Sequence, residues 1–308
     1  MDILLQFLLL AAGFVMLAKG ADWFVEGAAG IAMRFGIPQL VIGLTIVAMG
    51  TSAPEAAVSI AAALKGNADI TIGNIVGSNI LNILVILGLA AAIVPLAVAK
   101  STVRIEMPFM LAVTALLFYQ GRDGTITLAD GGVLLLAFAV YMMYLYTMAM
   151  KSNVDTSTDE PGLPLSRCLL GAAGGLVLII AGSDVTVGAA TAIATYAGLS
   201  ERFIGLTIVA LGTSLPELFT SVAAARRGNA DIAIGNIVGS NIFNILFVVG
   251  LSALIVDIPY AAAFDFDTAV AIGAALLLWL CVLRTQRLQR WAGVVMLACY
   301  AAYLAWIL

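Results

Sequence analysis

The chain has 308 residues, 63% apolar and only 10% charged, and a soluble domain of this size needs far more charge on its surface. The net charge of −4 forms no basic patch for nucleic acid, and the absence of histidine excludes a histidine-ligated metal and a histidine proton relay. Cys168, Cys281 and Cys299 have no paired spacing and read as small apolar residues within helices.

Apolar runs of roughly 18 residues or more, the length a bilayer demands, recur along the whole chain. The first covers 4–30. It begins without a basic segment and leads straight into another apolar run, so it reads as a transmembrane helix rather than a signal peptide. The runs that follow are 38–64, 70–94, 105–120, 127–149, 167–195, 203–225, 232–256, 266–284 and 290–307. The expected fold class is therefore an all-α membrane protein of ten transmembrane helices. The one clearly polar connector, KSNVDTSTDEPGLPL at 151–165, has two prolines and matches no EF-hand loop. It reads as a cytoplasmic linker between a first part, 1–150, and a second, 166–308.

Lys and Arg set the orientation. With ten spans, one side carries Lys65, Arg122 and Arg202. The other carries Arg34, Lys100, Arg104, Lys151, Arg167, Arg226, Arg227, Arg284, Arg287 and Arg290, and Lys19 lies inside the first span. The richer side is expected to be cytoplasmic, with both termini extracytoplasmic and the chain a multi-pass protein of the cell membrane. Asp22 and Glu26, near the end of the first span, read as interfacial structure, with Lys19 as a partner for Asp22.

Residues 43–89 align without a gap on 205–251, at an offset of 162, with 34 of 47 positions identical. Chance does not produce this, so the chain is a duplication. Gly20 and Asp22 extend the match weakly to Gly182 and Asp184. Five spans per half put the second half upside down relative to the first. That is the inverted-repeat design of secondary transporters, with a substrate site near the midplane.

The first duplicated motif is GTSAPE (Gly50 to Glu55), matched by GTSLPE (Gly212 to Glu217). Each places a glutamate in the middle of an apolar run, where a carboxylate is expensive and marks function, and no Lys or Arg lies within either motif. A bound cation is the natural compensation. Pro54 and Pro216 lack an N–H, so the carbonyls of Gly50 and Gly212 are expected to lose their helical donors. Thr51 and Thr213 stand one turn before the glutamates on the same face. Ser52 and Ser214 complete a set of oxygen-bearing candidates, and hard cations take all-oxygen shells.

The second motif is GNIVGSNILN (Gly73 to Asn82), matched by GNIVGSNIFN (Gly235 to Asn244). Asn74, Ser78 and Asn82 recur every fourth residue as a polar stripe, as do Asn236, Ser240 and Asn244. The glycine pairs 73/77 and 235/239 allow close helix approach and are expected to bring that stripe against the glutamate-bearing helix. Taken singly, such Ser, Thr and Asn residues are as often interhelical glue, and the glycine pairs more often packing. Asp69 and Asp231 mark helix starts.

The two motifs, duplicated, resemble the α-repeats of the cation/calcium exchanger superfamily. The GTSxPE form resembles its sodium/calcium exchangers, especially the compact prokaryotic kind, and the resemblance covers essentially the whole chain. It implies ten helices in inverted repeats around a central cluster of cation sites. Glu55 and Glu217 would be shared ligands for calcium and sodium, joined by Thr51, Ser78, Thr213 and Ser240 and the carbonyls of Ala48 and Ala210. The first helix of each half would slide to switch access. Some relatives, potassium-dependent exchangers among them, carry Asp where this chain has Asn244, opposite the equivalent of Asn82. Asn244 thus leans against potassium co-transport and removes a titratable group.

The expected activity is sodium-for-calcium antiport by alternating access, with the bilayer and the two ions as partners and no cofactor, nucleic acid or obligatory protein partner. Two carboxylates match one Ca²⁺ or several Na⁺, and empty carboxylates are costly to move through a dry pathway. A proton/calcium antiporter is the nearest alternative, with both glutamates protonated when calcium is absent. A cation channel fits the inverted repeat poorly. A hydrolase is disfavoured because Ser52 and Ser214 have no His or Lys base nearby. Oxygen ligands also accept manganese or another divalent cargo.

Overall fold

In lipid every backbone polar group must be satisfied within the protein, so long apolar runs become helices. The computed structural model describes residues 3–65, 68–151, 163–198 and 210–307. Its helices are α1 (Ile3–Arg34), α2 (Gln39–Ile42), α3 (Ala48–Thr51), α4 (Ala53–Leu64), α5 (Asp69–Leu81), α6 (Gly88–Ile93), α7 (Met107–Gln120), α8 (Leu128–Lys151), α9 (Leu165–Tyr196), α10 (Ala210–Thr213), α11 (Leu215–Arg226), α12 (Ala230–Phe243), α13 (Gly250–Ile255), α14 (Ala263–Leu283) and α15 (Arg290–Ile307). Wide π turns join α2 to α3 (Gly43–Val47), α5 to α6 (Asn82–Leu87) and α12 to α13 (Asn244–Val249), and another, Thr102–Glu106, leads into α7.

Eight of the described helical runs are long and apolar enough to cross a membrane. Gln39–Thr51 with Ala53–Leu64, bent by 49° at Ser52, makes a ninth. The expected span 203–225 begins outside the described residues, as do Arg202 and most of the 151–165 linker. Its described remainder, α10 and α11, is interrupted at Ser214 as α3 and α4 are at Ser52. The spans holding the GNIVGSN motifs, Ile70–Ile93 and Ala230–Ile255, are the most buried. The outer helices turn large apolar side chains outward, among them Leu8 and Val15 of α1, Leu136 and Val140 of α8 and Trp306 of α15.

Helices α1 and α9 have the same length and stand 162 residues apart. They pack antiparallel through glycines. A Cβ on Gly20 would lie 2.9 Å from the Gly175 carbonyl, and one on Gly182 would lie 3.1 Å from the Gly13 carbonyl. Close backbone approach of this kind is what small residues permit in a membrane, where apolar side chains gain nothing by leaving lipid. Four two-residue strands show a related pattern. β1 (Leu96–Ala97) pairs with β4 (Arg287–Leu288), with Leu96 opposite Leu288, and β2 (Thr125–Ile126) pairs with β3 (Ile258–Pro259), with Ile126 opposite Ile258. Adding 162 to either strand of the first half gives its counterpart in the other ladder. The correspondence therefore reaches beyond the 47 positions aligned in sequence.

Asp22 and Glu26 pair with Arg227, which ends α11, at 3.2 and 3.1 Å; Lys19 is not their partner. The reason is reach: the guanidinium forks to both carboxylates across the α1–α11 contact. Asp69 and Asp231 do open helices, but the capping positions belong to Ala68 and Asn229.

Candidate cation site

The glutamate-bearing span is not one kinked helix. It stops at Ser52 (φ −82°, ψ 7°) and restarts at Ala53, with Pro54 in the first turn, where a missing N–H costs nothing. The second copy does the same at Ser214 (φ −92°, ψ 5°), with Pro216 in the first turn of α11. Pro54 and Pro216 have no N–H to give the Gly50 and Gly212 carbonyls, as the sequence leads one to expect, and the span breaks there. The helix has already ended, and the Gly212 carbonyl accepts from Ser183 Oγ at 2.6 Å. The break has another effect. Glu55 and Glu217 fall in the first turns of α4 and α11, where the N-terminal end of the helix dipole favours a carboxylate.

Both glutamates are wholly buried, and each is held by the other copy's motif. Ser52 Oγ donates to Glu217 Oε1 at 2.7 Å, and Ser214 Oγ donates to Glu55 Oε1 at 3.2 Å. Thr51 and Ser240 interact electrostatically with Glu217, and Thr213 with Glu55. Thr51 Oγ1 also reaches Asn236 Oδ1 at 3.0 Å, and Ser240 Oγ reaches the Ala48 carbonyl at 3.4 Å. Ala210 opens α10. Ser78 is buried on α5.

The asparagines serve two purposes. Asn74 Nδ2 donates to the Glu55 carbonyl and Ser59 Oγ; Asn236 Nδ2 donates to the Glu217 carbonyl and Ser221 Oγ. Each pair ties a polar stripe to the glutamate helix of its own half. At the centre the halves cross-link instead. Asn82 Nδ2 donates to Asn241 Oδ1 at 3.3 Å, and Asn244 Nδ2 donates to Asn79 Oδ1 at 3.1 Å. Asn82 and Asn244 also begin the two equivalent π turns, a feature common at functional sites. The glycines of α12 do bring its stripe close, but against the opposite half: a Cβ on Gly239 would lie 2.8 Å from Ala48 Cβ.

Asn79, Asn241, Ser59 and Ser221 were not singled out from the sequence. The signal was present, since each pair is identical at the 162 offset.

What this arrangement leaves over is chemically specific. Oε2 of Glu55, Oε2 of Glu217, Oδ1 of Asn82 and Oδ1 of Asn244 are buried without a hydrogen-bond partner. The four oxygens are acceptors, two of them on carboxylates. The ion pairs among the described residues belong to Arg227, away from this site. A set of buried acceptor oxygens without donors fits a hard metal cation.

A family model described as "Sodium/calcium exchanger protein" matches residues 5–147 and 168–308. The chain belongs to the sodium/calcium exchanger protein family. Inner membrane protein YrbG of Escherichia coli strain K12 is 38% identical over 98% of this chain and 96% of its own length. Sodium/calcium exchanger MaX1 of Methanosarcina acetivorans is 34% identical over 98% of each. Among solved structures, the sodium-calcium exchanger NCX_Mj soaked with 2.5 mM Na⁺ and 10 mM Sr²⁺ superposes with a TM-score of 0.87 at 34% identity, over 98% of this chain and 99% of that one. The chain is thus a multi-pass helical membrane protein of a transporter family.

Proposed function

We propose that this exchanger moves Na⁺ against Ca²⁺ by alternating access, with both ions drawing on Glu55 and Glu217. The observation that carries the reading is the set of four buried, donor-less oxygens at the centre of the helices. Ser52 and Ser214 fix one oxygen of each carboxylate and leave the other for an ion. Thr51, Thr213, Ser78, Ser240, Asn82 and Asn244 and the carbonyls of Ala48 and Ala210 complete the oxygen set. Ser52, Ser214, Asn74 and Asn236 place it. Two buried carboxylates match one Ca²⁺ in charge, and several Na⁺ compete for the same oxygens. An empty pair is costly because each uncompensated buried charge costs several kcal/mol, in order of magnitude. Only a loaded site then crosses, which couples the two fluxes.

The same proposal gives the chain ten spans in two inverted five-helix repeats, 1–150 and 166–308, joined by the cytoplasmic linker 151–165, with both termini outside. The antiparallel packing of α1 on α9 and the exchanged strand ladders support it. The first helix of each half slides along the other to switch access.

The test is radiolabelled calcium uptake into proteoliposomes loaded with sodium and placed in sodium-free buffer. Uptake that needs internal sodium and is lost in Glu55→Gln is the expected result. Uptake that ignores sodium and follows an imposed pH gradient would make the transporter a proton/calcium antiporter.

A further inference from the structure

One more carboxylate is wholly buried in a span, away from the paired glutamates. Glu106 closes the π turn Thr102–Glu106 and is 0% exposed. Tyr144 of α8 donates its hydroxyl hydrogen to Glu106 Oε1. Glu106 Oε2 is buried and has no hydrogen-bond partner, and neither do the buried Tyr141 hydroxyl and Thr102 Oγ1. Thr102 lies one turn before Glu106 on the same segment. Tyr141 stacks on Phe109 with ring centroids 5.3 Å apart, and lies within electrostatic reach of Glu106.

No cation faces this carboxyl among the described residues. On its own segment, Lys100 and Arg104 are exposed. Helix α8 presents the two tyrosines, and its Lys151 is exposed at the far end. Helix α14 presents Trp279, whose Nε1 donates to the Val103 carbonyl at 2.8 Å. Its titratable groups are Cys281, the exposed Arg284 just past its end, and Asp265 and Asp267 in its first turn or next to it. Helix α12 presents Asn241, Nδ2 3.6 Å from Met110 Sδ, and its one acidic residue, Asp231, lies ten residues earlier.

An ionised carboxylate in this setting has one hydrogen bond and no counter-charge, a costly state for a group buried within the protein. A proton on Oε2 removes the charge. It also turns a partnerless acceptor into a donor, in a setting where Thr102 Oγ1, one turn away, and the Tyr141 hydroxyl also lack partners. We propose that Glu106 is a proton-binding site in its own right, distinct from the Glu55/Glu217 pair, and that losing its proton slows transport. In the binding step an O–H bond forms on the carboxylate with a proton from water, and no other bond breaks. Tyr144, the residue that bonds the carboxyl, is only partly buried. On the inner side, Met110 follows Glu106 by one turn and touches Asn241, a member of the central amide pairs. Loss of the proton therefore puts a full charge one helical turn from the methionine that touches that network.

The test is infrared difference spectroscopy on the full-length protein, titrated from neutral to alkaline pH, wild type minus Glu106→Gln. Signals from Glu55 and Glu217 cancel in this difference, so its outcome is independent of which ions the central pair binds. The expected result is a carboxylic-acid C=O band at neutral pH that is lost on alkalinisation. Tyr144→Phe, which removes the hydrogen bond to that carbonyl, should shift the band to higher frequency. Should Glu106→Gln not fold, wild type minus Tyr144→Phe replaces it, and a spectrum without that shift overturns the proposal. So does a carboxylate band from Glu106 at neutral pH, or an acid band that appears only when sodium is withdrawn, which would make the occupant a metal cation. In proteoliposomes, calcium uptake should fall on alkalinisation in wild type and stay level in Glu106→Gln. Identical pH profiles would overturn the link to transport.

Discussion

Ser52 donates its hydroxyl hydrogen to Glu217 Oε1 at 2.7 Å, across 165 residues of sequence, while the matching bond from Ser214 to Glu55 is 3.2 Å long. The two halves hold each other's carboxylates, and they do so unequally. A hydrogen bond to a charged group contributes about 1.5–3 kcal/mol, and the shorter bond is the stronger. Ser52→Ala should therefore weaken calcium affinity roughly 10- to 100-fold, and Ser214→Ala should weaken it less. Calcium titrations of sodium-free protein check the order. Equal losses would mean that the two bonds become equivalent once an ion is bound.

Glu55 Oε2 and Glu217 Oε2 have no donor, so a ligand that supplies positive charge should stabilise the folded protein. Calcium at a hundredfold excess over its Kd adds about 2.7 kcal/mol. We expect a calcium-dependent rise in Tm for the wild type and none for Glu55→Gln or Glu217→Gln. The amide variants should be at least as stable as wild type without calcium, since each removes an uncompensated buried charge. A calcium response that survives in both variants would place the ion elsewhere.

The glutamates, the hydroxyls beside them and the polar stripes were legible because the sequence prints them twice, at depths where polar groups need a reason. The geometry between them was not. A π turn such as Asn82–Leu87 arises from how one helix is pressed by its neighbours, and no composition signal in NILVIL announces it. The break at Ser52 was legible only as a proline effect, because Pro54 marks the spot whether it kinks a helix or begins one. The crossed amide bonds Asn82–Asn241 and Asn244–Asn79 depend on how the halves dock, which spacing within either half cannot reveal. Arg227 is a similar case. Its carboxylate partners lie about 200 positions away, so the nearer Lys19 looked the better partner for Asp22.

Those Arg227 pairs are exposed, with Asp22 and Glu26 side chains 43% and 49% accessible. Pairs of this kind contribute roughly 0–1 kcal/mol each. Arg227→Gln should lower thermal stability only slightly, and the loss should vanish in high salt, where the wild-type pairs are already screened. A larger, salt-independent loss would point to packing by the arginine stem.

Gly239 is where α12 meets the other half. An added Cβ would lie 2.8 Å from Ala48 Cβ and from the Leu44 backbone, and neither can move without shifting the segment that leads to Thr51 and Glu55. Gly239→Ala should cost about 1–3 kcal/mol in stability and most of the transport, whereas Gly132→Ala, with open space around it, should be near neutral. Thermal unfolding and calcium uptake on the two variants form the comparison. A tolerated Gly239→Ala would show that this contact opens readily.

Gly20 tests a different property, movement rather than binding. It lies where α1 crosses α9, with an added Cβ 2.9 Å from the Gly175 carbonyl and from Ile179 Cγ1. Glycines at 13, 20 and 27 repeat every seven residues, and each meets α9, so one face of α1 stays smooth where the two helices cross. If α1 slides on α9, a methyl group at Gly20 must ride over the α9 backbone at each cycle, while the ligands on α3 to α5 and α10 to α12 stay where they are. Gly20→Ala should then slow calcium uptake several-fold and leave the calcium-induced Tm rise intact. Gly188→Ala, on α9 with nothing within 4 Å, should change neither. Loss of rate and of the calcium response together in Gly20→Ala would mean that the α1–α9 contact shapes the site itself, and that the two helices do not move independently of it.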